Sequence, residues 1–199
     1  MTDSILTDFE NETEKKILYQ PRSGEEMERA TLHRVPIYKY SDLCALSKKK
    51  GGAERMLAHM FRRSNDNIIL LQDPHDMSSG HWISVSRNIP RKEIYFFSTY
   101  GGRPDVEKNK WMNDDELYES GQEINIFNDG LRSLQKRGWK IHYNDYPYQK
   151  PRDKTATCGI YTAAFLRFGA DPDKFKEMTK TLMNYGINPA LYYYNEFFV

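Results

Sequence analysis

From residue 35 onward the chain carries readable hydrophobic periodicity; before it there is almost none. Residues 1–34 mix acids, bases and amides with isolated apolar positions, which predicts an N-terminal arm of weak structure with a short helix around Asp8 to Leu18. Val35-Pro36-Ile37-Tyr38 reads as a short extended piece, and Asp42 to Leu46 as a helical turn. Lys48-Lys49-Lys50-Gly51-Gly52 punctuates the chain. Met56, Leu57, Met60 and Phe61 then fall at the spacing of an amphipathic helix over 53–63. Ile68-Ile69-Leu70-Leu71 is an unbroken apolar run of strand length, and Asp73 to Gly80 is a polar loop. Trp82 to Ser86 alternates apolar with polar, and Ile94-Tyr95-Phe96-Phe97 is a further strand. The turn through Pro90 is short enough to join these two as an antiparallel hairpin.

After Gly101-Gly102 the period lengthens. Helices are expected over 114–119 and 124–136, the second with Ile124, Phe127, Leu131 and Leu134 on one face. Trp139 to Tyr143 alternates as a strand, and 146–157 is a long loop. The run from Cys158 to Phe168 is apolar enough for a buried helix. Asp171-Pro172 opens another to about Asn184, and Asn188-Pro189 opens the last, which carries Tyr192-Tyr193-Tyr194. The sum is an α+β fold, a small mixed β-sheet packed against helices, with a single domain over 35–199 following the 1–34 arm.

A chain of 199 residues can bury a core without staples, and 39% hydrophobic with 14% aromatic content is a globular composition. Twenty-nine basic against 28 acidic side chains leave a net charge of +1, which gives no electrostatic case for nucleic acid as a partner. Two distant cysteines make no disulfide framework, and a reducing, intracellular setting is expected. No stretch has the length of a membrane span, and the N-terminus lacks a signal-peptide pattern. No His/Cys cluster has metal-ligand spacing, so neither a metal nor a cofactor is expected.

The candidate chemistry centres on Cys158, which opens the apolar helix. There it meets the positive end of the helix macrodipole, a field that favours thiolate. A base is available upstream in Gly80-His81-Trp82, at the mouth of a strand, and Gln149 lies in the loop before the cysteine. Cysteine nucleophile, histidine base and an amide donor for an oxyanion are the parts of a thiol peptidase. Cys44 and the histidines His33, His59, His75 and His142 have no such context and read as surface or packing residues.

Gly80-His81-Trp82, the strand Glu93 to Phe97 with Gly101 after it, Gln149 and Cys158-Gly159-Ile160-Tyr161 resemble, in that order, the adenovirus-proteinase and SUMO-specific-protease clan of cysteine proteases. The resemblance covers about residues 68–169, and within the clan the chain looks most like the capsid-maturation proteases of virophages and Maverick/Polinton elements. It implies a papain-like or adenain-like domain with the nucleophile at a helix N-terminus. Cys158 would be the nucleophile, His81 the base and Gln149 the oxyanion donor. It further implies cleavage after small residues, of Gly-Gly or Gly-X type, in a polypeptide such as a capsid or other virion precursor. The host cytoplasm or a virus factory would be the setting. The clan's acidic third member aligns with Ser98, and a carboxylate recruited from the Asp73–Asp76 loop is the alternative. Two other functions remain open: deconjugation of a ubiquitin-like modifier, or a catalytically weak adaptor that binds such partners.

Overall fold

The computed structural model describes residues 12–149 and 155–199. The first eleven residues of the arm, and 150–154 of the loop before Cys158, lie outside them. A five-stranded sheet runs in the order β1 (Ile37–Lys39), β2 (Asp66–Asp73), β3 (Asp76–Asn88), β4 (Glu93–Ser98), β5 (Lys140–Tyr143). The outer pairs β1–β2 and β4–β5 are parallel and the inner pairs antiparallel, so the sheet is mixed. Helices cover both faces. That explains the unbroken run in β2: Ile68 and Leu70 enter one core while Ile69 and Leu71 enter the other.

One core holds α8 (Cys158–Arg167), with α9 (Pro172–Asn184) and α10 (Pro189–Phe197) behind it. Phe97 of β4 stacks on Phe165 of α8 with centroids 4.3 Å apart, and Phe175 and Tyr193 close the cluster edge-on and stacked. The other core holds α3 (Tyr40–Lys50), α4 (Ala53–Arg63) and α7 (Ile126–Lys136), with Met56, Leu57, Met60, Phe61, Phe127 and Leu131 turned inward. Short helices α5 (Lys108–Trp111) and α6 (Asp114–Glu119) link β4 to α7. Gly51 ends α3 in the left-handed region and Gly52 begins α4, so this diglycine is a helix junction and not an extended segment.

Two elements differ from the sequence reading. The 12–34 part of the arm is folded: α1 spans 12–19 and α2 spans Gly24–Ala30 with a Ser23–Glu26 capping box. Ile17, Met27 and Ala30 pack into the same core as α8. Strand β3 begins at Asp76, not Trp82, because the polar residues before Gly80 extend the β2–β3 hairpin beyond the core. At Gly80 the backbone is left-handed and a Cβ would stand 2.0 Å from the Leu71 carbonyl oxygen, so only glycine fits.

Candidate active site

The site arises from a mismatch in strand length. The last β3–β4 pair is Ile83 with Ser98, whereas β2 still pairs with Trp82 and His81. The β4 side of Trp82 and His81 is thus left open where β4 stops. Alternation turns Trp82 toward the α8 core and His81, like Ile83 and Val85, toward the opposite face. Helix α8 packs against this stretch of β3, with Thr162 Oγ1 donating to the Trp82 carbonyl at 3.1 Å.

Cys158 is the first residue of α8, where the backbone N–H groups of Trp82, Gly159 and Cys158 itself draw the thiol toward its ionised form. These donors favour thiolate, as the macrodipole argument anticipates. Burial dominates, however, and with the Glu107 charge it pushes the thiol above its ordinary range. At rest the Cys158 side chain is therefore a neutral thiol.

His81 is 5% exposed, and burial pushes its imidazole down to about 3, so the ring is neutral at rest. Its Nε2 lies 3.0 Å from Ser98 Oγ and 3.4 Å from Glu107 Oε2. Ser98 Oγ donates a short hydrogen bond to Glu107 Oε1. With Glu107 ionised, the serine proton points at the glutamate and the serine oxygen accepts from His81 Nε2–H. That tautomer leaves Nδ1 with the lone pair that can take a proton. Burial raises the Glu107 carboxyl to about 7, opposed by the Ser98 hydrogen bond and by Lys110. Burial thus favours the neutral form of each partner alone, whereas proton transfer to His81 creates an imidazolium facing a carboxylate.

Ser98, the expected third member, thus bridges the His81 ring to a carboxylate, Glu107, in the loop after β4. The other expected source of an acid does not serve: Asp73 accepts from the His75 backbone and Asp76 from Ser78, within their own turns. Asp105, the other acid near Glu107, is engaged by the Tyr40 hydroxyl at 2.7 Å and the Asn128 backbone. Only Glu107 of the two faces the histidine.

Gln149 is buried where the loop returns past β4. Its side-chain amide oxygen Oε1 accepts from Thr99 Oγ1 at 3.1 Å, its backbone N–H donates to the Thr99 carbonyl, and its side-chain Nε2 donates to the carbonyl of Thr155, three residues before Cys158. Folding therefore brings Cys158, His81, Ser98 and Gln149 to one end of β4, and adds Glu107. Tyr100 and Trp111, also outside the sequence reading, flank the His81 ring with centroids 4.7 and 5.3 Å away. The arm contributes as well: the Arg22 carbonyl accepts from Trp82 Nε1 at 2.9 Å, and the Leu18 carbonyl accepts from the Ala156 backbone. Among the described residues no group of three metal-binding side chains occurs, and no helix is long and apolar enough to cross a membrane.

No family model matches the chain, and no curated protein matches it. Among solved structures it is similar to the C-terminal Ulp1 protease domain in complex with Smt3, the yeast ortholog of SUMO, at 12% identity and TM-score 0.41, covering 78% of this chain and 68% of that one. It is also similar to the SUMO protease Ulp1 with its catalytic cysteine oxidised to a sulfinic acid, at 13% identity and TM-score 0.35, and to a sulfonic acid, at 12% and 0.36. It covers 72% of its own length in both, and 62% and 63% of theirs.

Proposed function

We propose that the chain is a cysteine protease in which Cys158 is the nucleophile and His81 the base. The observation that carries this reading is the hydrogen-bonded line from Glu107 through Ser98 to His81 Nε2, beside a cysteine at a helix N-terminus. Nδ1 of His81 takes the Cys158 proton as sulfur attacks the scissile carbonyl. The imidazolium so formed is stabilised by Glu107, directly and through Ser98. The oxyanion is held by backbone N–H groups at the start of α8 and by Gln149, whose amide turns from the Thr155 carbonyl to the substrate. Collapse breaks the C–N bond, His81 returns its proton to the leaving amine, and water releases the acyl group from sulfur.

The clan resemblance adds the expectation of cleavage after glycine with a small residue before it. Both a ubiquitin-like modifier, of the kind seen with Ulp1, and a virion precursor offer such a bond, and both belong in one substrate panel. The deciding experiment treats the protein with a glycyl-glycyl vinyl sulfone or propargylamide and maps the adduct by mass spectrometry. Labelling at Cys158 that disappears in His81→Ala supports the protease. Unlabelled Cys158 in the folded wild-type protein leaves only the adaptor reading.

A further inference from the structure

Beneath the loop that carries Glu107 lies a buried polar cluster that the catalytic assignment leaves unused. Tyr40 on α3, Asp105 in the loop and Lys108 on α5 are all buried. An aspartate or a lysine is seldom buried unless it is paired. Here the Tyr40 hydroxyl stands 2.7 Å from Asp105 Oδ1 and 2.8 Å from the Ile124 carbonyl oxygen, and it accepts from the Ile126 N–H at 3.3 Å. Asp105 Oδ2 accepts from the Asn128 backbone N–H at 2.7 Å, which satisfies a donor in the first turn of α7. The Lys108 ammonium sits 5.5 Å from the Tyr40 ring centroid. Burial pushes that ammonium down, and the Asp105 charge opposes the shift.

In the chain Glu107 stands between the two charged members of this cluster. It immediately precedes α5, a helix of four residues without a side-chain cap. So short a helix cannot hold itself in place by its own hydrogen bonds. On the other side Asp105 adopts the left-handed region at φ 64°, which is uncommon outside glycine. Such a conformation persists where surrounding contacts over-determine it, and the contacts to Tyr40 and Asn128 do so here. Tyr40 is itself fixed, its ring edge-on to Phe127 of α7 with centroids 5.8 Å apart. The Glu107 carboxyl thus reaches Ser98 and His81 from a turn whose position is set on its far side, at α3 and α7.

We propose that Tyr40 and Asp105 are positioning residues for the base: they pin the loop from below so that Glu107 meets Ser98 and His81. Both act through Glu107 and not on the substrate. The inference rests on the thiol-protease reading above, in which Glu107 stands behind His81.

Tyr40→Phe tests it, because it removes one hydroxyl and keeps the ring beside Phe127 and Lys108. With a Gly-Gly peptide kcat/KM should fall about tenfold, through kcat with KM little changed, since a loosened loop misplaces the carboxyl. In a Glu107→Gln background the same substitution should cost less than about twofold, because the group being positioned is already gone. A merely structural loss would multiply into both backgrounds alike. Asp105→Asn gives a second, independent cycle with the same expected coupling. Asparagine accepts the left-handed backbone, but it has one acceptor oxygen where Tyr40 and Asn128 engage two. NMR titration of the Glu107 carboxyl provides a readout without turnover. The described titratable groups that face this carboxyl are His81 on β3, Cys158 on α8 and Lys110 on α5, and neither substitution alters them. Raised by burial to about 7 in the wild type, the carboxyl should titrate nearer its ordinary 4.5 in Tyr40→Phe, where the loop lets it into solvent. Wild-type kcat/KM in Tyr40→Phe, losses that multiply equally in both backgrounds, or a Glu107 titration that does not move overturns the proposal. A titration that moves in a protein that hydrolyses nothing refutes the protease reading alone.

Discussion

The two faces of the sheet are covered by helices with equal closeness but different consequences. On one face α7 approaches α4 at Gly130, where a Cβ would stand 2.6 Å from Leu57 Cδ1 and 3.2 Å from the Ala53 carbonyl oxygen. On the other the arm approaches α8 at Gly159, where a Cβ would meet Arg22 Cβ at 2.9 Å and Met27 Sδ at 3.0 Å. Both glycines admit a neighbour that alanine would push away. The first contact joins two packing helices and touches nothing reactive. The second lies one residue from the nucleophile, and the Arg22 carbonyl in the same segment holds the Trp82 indole. Close packing is thus purely structural on the α4–α7 face. On the α8 face it also aims the site.

The sharpest break between the faces is chemical. Cys158→Ala should abolish hydrolysis of a Gly-Gly peptide while the melting temperature stays near wild type, because a buried sulfhydryl is replaced by a slightly smaller apolar group. His81→Ala should be nearly as severe, since the neutral thiol then has no proton acceptor. Gln149→Ala should lower kcat by ~10²–10³ with little change in KM, the signature of a donor that acts in the transition state. Steady-state kinetics on the folded variants checks all three, and activity in Cys158→Ala would refute the assignment outright.

Glu107→Gln should reduce kcat/KM on the order of a hundredfold, the lower range for losing the charge behind a general base. It also carries a pH signature. With the carboxyl raised to about 7, wild-type activity should climb as pH rises through that value, and this limb should vanish in the glutamine variant. Stability responds in a separate way. A carboxyl raised from its ordinary 4.5 holds its proton more tightly when folded, so its stabilisation is complete below 4.5 and lost as pH rises through 7. His81, lowered from 6.5 to about 3, acts in the opposite sense, its stability present above 6.5 and lost as pH falls toward 3. Each term is a few kcal/mol, and between about pH 4.5 and 6.5 they oppose. Wild-type stability should be nearly flat over that window. Glu107→Gln should make it rise with pH, as thermal denaturation at fixed ionic strength would show.

The α8 half of the molecule was legible in the sequence because its pattern is simple. Cys158 to Leu166 are all buried, and a helix buried all round must be apolar all round. His81 could be placed on a strand because Trp82 to Ser86 alternates visibly. Two features escaped. Among the described residues of the arm, Ile17, Met27 and Ala30 are buried in the core with Leu18 packed against them, too few for periodicity to show, although Ser23 and Glu26 spell a capping box that marks a helix start. Glu107 escaped because a loop, not a period, brings it to His81. Sequence distance gave no reason to prefer it over Asp105, and the choice depends on the Tyr40 hydroxyl that occupies the latter. The signal available was weaker: two acids within ten residues of the strand end that lacks its expected carboxylate.

The glycine pair tests the comparison at the level of packing. Gly130→Ala should lower stability by about 1–3 kcal/mol, because Leu57 and the α4 backbone must both give way, and kcat/KM should be unaffected. Gly159→Ala meets Arg22 Cβ and Cγ, the fixed base of that side chain, so the arm itself must shift and a stability loss of similar size is expected. Unlike Gly130→Ala it should also lower turnover, because the Arg22 carbonyl that holds the Trp82 indole moves with the arm. Thermal melts and kinetics on both variants would settle it; a Gly130→Ala protein crippled in catalysis but normal in stability would erase the distinction between the faces.

The smallest expected effect is at Ser98, where two roles have to be separated. If the serine were the terminal partner of His81, its removal would cost all orientation of the ring. With Glu107 Oε2 already 3.4 Å from Nε2, Ser98→Ala leaves a carboxylate to which the imidazolium can turn, and kcat/KM should fall only about tenfold. Ser98→Asp should be worse than Ser98→Ala, although it restores an acid at the clan's position. It sets a second carboxyl against a buried Glu107 that already resists ionisation, and the two should share one proton near neutral pH. Ser98→Asp/Glu107→Gln should then recover activity over Ser98→Asp alone, because a single carboxylate faces His81 again. Kinetics on these variants decides the order of the relay. A Ser98→Ala enzyme as inactive as His81→Ala would make the hydroxyl, not the glutamate, the group that holds the base.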